Sequence, residues 1–99
     1  MALKKISLLG STGSIGVQTL DVIRTTGCAE VAALSANNNI DLLEQQIIAF
    51  RPRLAVIGDE KNALELTRRL QSQNIKAAVL FGSDGLLAAA SLDEADVLV

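Results

Sequence analysis

The residues best suited to chemistry lie close to the start of the chain, in Gly10-Ser11-Thr12-Gly13-Ser14-Ile15-Gly16. Three glycines, spaced G-x-x-G-x-x-G, are interleaved with hydroxyl side chains. A run of this kind between a strand and a helix binds phosphate. Gly10 permits a tight turn off the strand, and Gly13 lets a phosphate approach without meeting a β-carbon. Gly16 lets the helix lie close against the strand. The helix start then offers unpaired N–H groups and partial positive charge to an anion. Ser11, Thr12 and Ser14 add hydroxyl donors, and Ser14 is a candidate helix cap. The competing reading is a plain strand–helix turn. The context, a strand before and a helix after, promotes the segment to a dinucleotide-binding loop. It is not a P-loop, since no Gly-Lys-Ser/Thr follows.

A second segment selects the dinucleotide. Leu34-Ser35-Ala36-Asn37-Asn38-Asn39 follows an apolar run and contains no acid. A carboxylate here would accept hydrogen bonds from the ribose 2′-hydroxyl of NAD and repel a 2′-phosphate. Its absence, with neutral Ser and Asn donors present, favours NADP. Asn39 is also the expected cap of a helix beginning near Ile40.

The remaining polar residues give no catalytic constellation. The chain has no His and one Cys, Cys28. That excludes His acid–base chemistry, a His-based triad, an intrachain disulfide and a Cys cluster for zinc. Cys28, beside Gly27, reads as a small filler in a turn. Asp59 and Glu60 read as caps of a third helix, with a place bordering the cofactor groove as the alternative, and Asp84 as the cap of a fourth. Asp93, Glu94 and Asp96 read as a solvated turn rather than a metal cluster, because helix starts favour acids without any metal.

The elements that must position the loop follow from periodicity. Short apolar runs begin at Ile6, Val31, Leu54, Ala77 and Val97. Each is bounded by turn residues, as strands buried on both faces are. Between them lie helical stripes: Gly16, Leu20 and Ile23; Ile40, Leu43, Ile47 and Phe50; Ala63, Leu66 and Leu70. The fourth, Asp84 to Ser91, is short and rich in Ala and Leu. Pro52 helps stop the second helix. This rhythm is an α/β chain: a Rossmann-like open parallel sheet of about five strands, with helices on both faces. The last apolar run reaches residue 99, which reads as a domain interrupted in mid-sheet.

Ninety-nine residues, 49% hydrophobic, fit one small domain spanning 1–99. Aromatics are confined to Phe50 and Phe81, so the core is aliphatic. A net charge of -2 gives no basic surface for nucleic acid. No apolar stretch is long enough for a membrane span or a signal peptide, so a cytoplasmic location is the default.

The stretch Leu9 to Gly16, followed by Gln18-Thr19-Leu20-Asp21-Val22-Ile23, resembles the opening of the 1-deoxy-D-xylulose 5-phosphate reductoisomerase family. Val31 to Leu34, Glu44 with Gln45 or Gln46, Phe50-Arg51-Pro52 and Leu80 to Gly85 extend the resemblance along essentially the whole chain. It implies an enzyme that rearranges and reduces a sugar phosphate, 1-deoxy-D-xylulose 5-phosphate, to 2-C-methyl-D-erythritol 4-phosphate in non-mevalonate isoprenoid biosynthesis. It implies NADPH, with Mg²⁺ or Mn²⁺ held by residues outside this chain, and a homodimer when full-length. It implies a strand order of 3-2-1-4-5. Thr12, Gly13, Ser14 and Ile15 would hold the pyrophosphate, and positions 37 to 39 would lie near the adenosine 2′-phosphate. Ser35 and Ala36 are compatible with that site. Here the chain departs from the family's Gly-Lys-Asn-like pattern: Asn37 and Asn38 stand for the glycine and the cation, which weakens the 2′-phosphate contact. The chain alone is expected to be inactive. Two other readings compete: an NADP-dependent dehydrogenase of the aspartate-semialdehyde type, and a non-catalytic nucleotide-binding module.

Overall fold

In the computed structural model, residues 4–91 are described together with the backbone of residues 97 and 98. The element order is β1 (Lys4–Leu8), α1 (Ser14–Thr26), β2 (Ala29–Ser35), α2 (Ile40–Phe50), β3 (Leu54–Ile57), α3 (Glu60–Ser72), β4 (Ala78–Phe81), α4 (Gly82–Ala90) and β5 (Val97–Leu98). All strand pairs are parallel, as helical crossovers require.

The spatial order is β4-β3-β2-β1-β5, which corrects the expected 3-2-1-4-5. Leu54 to Ile57 pair with Ala78 to Phe81, so β4 extends the sheet beyond β3. The chain returns only afterwards, and Ile6 pairs with Val97 on the other side of β1. The reason lies in α3. Its stripe Ala63, Leu66 and Leu70 joins the same buried cluster as Leu20 and Ile23 of α1 and Leu43 and Ile47 of α2. Right-handed crossovers that keep advancing in one direction keep their helices on one face. The reversal moves α4 to the other face, where Ala89 packs on Ala33, Leu54 and Val56. Strand rhythm reports how many crossovers exist, but not which one reverses.

β3 is fully buried and β2 is buried from Val31 onward, as their unbroken apolar runs predict. β4 departs from that expectation. It is an edge strand, and Leu80 and Phe81 are exposed. The helical stripes are where the periodicity places them, with Ile40 and Phe50 partly buried at the margins of α2's face.

The caps differ in detail. Asn39 caps α2, its side chain accepting from the N–H of Leu42 at 3.2 Å. Ser14 is not a cap: Gly13 holds that position, with no side-chain bond. Asp59 holds the N-cap position of α3 without a side-chain bond. Asp84 lies inside the first turn of α4, whose N-cap is Phe81. α2 ends at Arg51, a left-handed residue at φ 51°, directly before Pro52. Cys28 is exposed in the turn between α1 and β2, so it fills nothing. Asp93, Glu94, Asp96 and Val99 lie outside the described residues.

Arg69 fastens α3 to α2. Its guanidinium donates to Asp41 at 2.7 Å and Glu44 at 3.1 Å, and to Glu65 within α3 at 3.4 Å. Those bonds, to Asp41 first, hold its pKa above the ordinary arginine value.

Candidate functional site

Parallel strands deliver their C-terminal ends to one edge, and the loops that follow β1, β2 and β3 meet there. The glycine loop is tied to the end of β2 through Ser35. The Gly10 N–H donates to Ser35 Oγ at 3.0 Å, and the Ser11 N–H to the Ser35 carbonyl at 2.7 Å. Gly10 takes φ +73°, a left-handed turn suited to glycine. The Gly13 N–H then closes back on the Gly10 carbonyl at 3.1 Å. Next outward, the Ala36 N–H donates to Val56 at 2.9 Å and the Gly58 N–H to Asn37 at 2.7 Å, which joins β2's loop to the end of β3.

This bonding uses the N–H groups of Gly10, Ser11 and Gly13. Those of Thr12, Ser14, Ile15 and Gly16 have no hydrogen-bond partner among the described residues. They surround the start of α1, which lacks a side-chain cap and has no acid in its first turn. The other three helices carry Asp41, Glu60 or Asp84 there. A row of unpaired donors at an uncapped helix start, free of negative charge, is built for an anion.

An open cleft of about 810 Å³ runs from this loop across the sheet edge. Gly10, Thr12 and Gly13 line one end, Ser35 to Asn38 the middle, and Gly58, Gly82, Ser83 and Leu86 the far side. Most of the expected site residues are thus brought together. Gly13 meets nothing closer than the Gly10 carbonyl oxygen, 3.5 Å from where its β-carbon would be, and is exposed. Ser14 and Ile15 stand exposed at the head of α1, with Ile15 76% accessible.

Five expected residues do not line the cleft: Ser14 and Ile15 at the head of α1, and Ser11, Gly16 and Asn39, which frame it. The Ser11 hydroxyl is fully buried and donates to Gln46 at 2.7 Å, so it is no phosphate donor. Gly16 is buried beneath the loop, and Asn39 is occupied as the α2 cap. Asp59 and Glu60 do not line the cleft; Gly58 does. Gly58 and the start of α4 were missed by sequence reasoning. A glycine directly after a parallel strand was the available signal for the first. The placement of α4 depends on the strand order and left no local trace. Among the described residues no three His, Cys, Asp or Glu side chains gather to hold a metal ion. No helix among them is long and apolar enough to cross a membrane.

Residues 6–99 match the family profile of 1-deoxy-D-xylulose 5-phosphate reductoisomerase. The enzyme of that name from Lachnoclostridium phytofermentans is 47% identical over 97 residues, covering 98% of this chain and 24% of the relative. Its counterpart from Proteus mirabilis is 46% identical over 95 residues, covering 95% of this chain and 24% of the relative. The fold agrees as closely. A crystal structure of DOX-P reductoisomerase in complex with NADPH, fosmidomycin and magnesium superimposes with a TM-score of 0.91 at 28% identity, covering 97% of this chain and 24% of that one. The Zymomonas mobilis reductoisomerase in complex with NADPH gives 0.85 at 31% identity, covering 94% and 24%. The chain therefore spans about a quarter of the length of the curated relatives it matches. A match that begins in the first strand and continues through the last leaves no place for the semialdehyde-dehydrogenase alternative: the chain belongs to the 1-deoxy-D-xylulose 5-phosphate reductoisomerase family.

Proposed function

We propose that this chain is the NADPH-binding part of a 1-deoxy-D-xylulose 5-phosphate reductoisomerase. The observation that carries the reading is the uncapped start of α1, with unpaired N–H groups on Thr12, Ser14, Ile15 and Gly16, directly after a loop whose Gly10, Thr12 and Gly13 line an open cleft. Four backbone donors fit a pyrophosphate, whose oxygens accept and never donate. Gly13 presents no β-carbon and leaves the approach clear. Asn37 and Asn38, exposed at the end of β2, are the donors for the adenosine 2′-phosphate. Ser35 and Ala36 form the floor between these ends. When bound, NADPH supplies the hydride for the reduction; the residues of this chain bind and orient it.

The whole protein, on this reading, rearranges and reduces 1-deoxy-D-xylulose 5-phosphate as a cytoplasmic homodimer with Mg²⁺ or Mn²⁺. The described residues of this chain do not fit a divalent cation; the family resemblance assigns its ligands to residues outside this chain, and no step is derived through it. No residue here is assigned to catalysis. The test is an assay of the intact protein for NADPH oxidation with 1-deoxy-D-xylulose 5-phosphate and Mg²⁺. Substrate-dependent oxidation is expected. A folded protein that binds NADPH and turns nothing over would instead be a non-catalytic nucleotide-binding module.

A further inference from the structure

Gln46 is a polar residue where α2 has every reason to be apolar. It is only 7% accessible and lies beside Ile47, which is wholly buried. A primary amide taken out of water costs stability unless its hydrogen bonds are replaced. Here they are, and by one residue. Gln46 Nε2 donates to the Ser11 carbonyl at 2.9 Å, and the Ser11 hydroxyl donates to Gln46 Oε1 at 2.7 Å. A carbonyl oxygen only accepts, so the amide nitrogen must face it. That fixes the amide orientation and obliges the hydroxyl to donate. The pair is buried, reciprocal and spans 35 positions of sequence.

Ser11 directly precedes Thr12, the first of the unpaired donors. Its own N–H is held by Ser35, and its carbonyl and hydroxyl by Gln46. With all three polar groups tied inward, the next residue, Thr12, has its N–H left over for a ligand. The same helix α2 starts directly after Asn37, Asn38 and its cap, Asn39. One helix therefore carries both the 2′-phosphate end of the cleft and the brace beneath the glycine loop.

We propose that Gln46 is a positioning residue: its paired hydrogen bonds with Ser11 hold the glycine loop in the shape that presents the N–H groups of Thr12, Ser14, Ile15 and Gly16 to the cofactor pyrophosphate. The proposal rests on the reading of the cleft as an NADPH site. Gln46→Met keeps the length and fills the volume but makes neither bond. Ser11→Ala removes one bond and leaves α2 untouched. Both are made in the intact protein and titrated calorimetrically with two probes. NADPH carries the pyrophosphate, and adenosine 2′-phosphate carries the other end alone.

The native protein is expected to bind NADPH well above adenosine 2′-phosphate. Gln46→Met, which loses both bonds, is expected to weaken NADPH roughly tenfold, the scale of leaving a buried polar group unpaired. Adenosine 2′-phosphate should stay within about twofold, since Asn37 and Asn38 are untouched. Ser11→Ala should show the same selective loss at smaller size. A variant that weakens both probes equally, or neither, overturns the proposal, because a purely structural role for Gln46 would act through α2 on both ends. Should Gln46→Met not fold, Ser11→Ala decides alone by the same comparison. If the native protein binds NADPH no better than adenosine 2′-phosphate, the cleft reading itself fails, and this inference falls with it.

Discussion

The carbonyl oxygen of Gly10 stands where a β-carbon on Gly16 would need to be: the two would lie 2.4 Å apart, with Ser11 Cα at 2.7 Å. The third glycine of the motif therefore serves the contact between α1 and its own preceding loop. The expectation that it lets the helix lie close against the strand is corrected: the surface it approaches is the loop that follows the strand. Every atom in the way is backbone, so no side chain can swing aside.

Gly16→Ala and Gly13→Ala should consequently fail in different ways. At Gly16 the loop must shift, so both the melting temperature and NADPH affinity should fall, with a stability loss of about 1–3 kcal/mol. At Gly13 the backbone is extended and the added carbon meets only the Gly10 carbonyl, at 3.5 Å. Folding should be nearly unchanged, while NADPH affinity drops roughly tenfold or more because the methyl occupies the phosphate's path. Thermal melts and calorimetric titration of the two variants check this. A Gly13→Ala protein that binds normally would remove the pyrophosphate from this loop.

Asn39→Ala should separate the cap from the ligand. The side chain accepts from Leu42 N–H at the start of α2, and its loss typically costs about 1 kcal/mol. Urea denaturation should show that decrease. Adenosine 2′-phosphate binding should weaken only slightly, because the proposed donors are Asn37 and Asn38. A large loss of binding with little loss of stability would make Asn39 a ligand contact.

The fate of these three asparagines illustrates what the sequence disclosed. Asn39 was legible because capping is local: an acceptor side chain, a helix start and the N–H three residues on. The loop glycines and the apolar stripes were legible for the same reason. Ser11 was misread as a phosphate donor because its partner, Gln46, lies 35 positions away and only the packing of α2 brings it near. The strand order escaped for a related reason. Whether β4 lies beside β1 or β3 depends on which face α3 covers, and the stripe Ala63, Leu66 and Leu70 suits either face. Arg69, which reaches across to Asp41 and Glu44, and Gln73 at the C-cap of α3, which donates to Glu44 at 2.8 Å, single out α2 as its neighbour.

The acid limb of the stability profile should depend on Glu65. Arg68 donates two hydrogen bonds to its carboxylate, and with Arg69 holds its pKa below the ordinary 4.5. The charged form is thus favoured in the folded state. Its contribution is present above the unfolded pKa and is lost as pH falls through the depressed folded value. Glu65→Gln should be slightly less stable at neutral pH and should lose less on acidification toward about pH 3, as exposed pairs contribute modestly. Melting curves at a series of pH values compare the two slopes. Identical slopes would mean the pair makes no net contribution.

Asn38→Lys bears most directly on cofactor choice. Asn38 is exposed on the cleft and neutral, at a position where the family resemblance places a cation. An ammonium there would add a charge-assisted hydrogen bond to a 2′-phosphate and nothing to a 2′-hydroxyl of comparable strength. Solvent screening limits the gain to about 1 kcal/mol, or roughly fivefold. NADPH should therefore tighten by that factor, NADH should hardly change, and the gain should shrink as salt is raised. Parallel titrations with both cofactors at two ionic strengths measure all three effects. Equal tightening of NADPH and NADH would place residue 38 near a group the cofactors share, and the end of β2 would then lie along the pyrophosphate instead of the adenosine ribose.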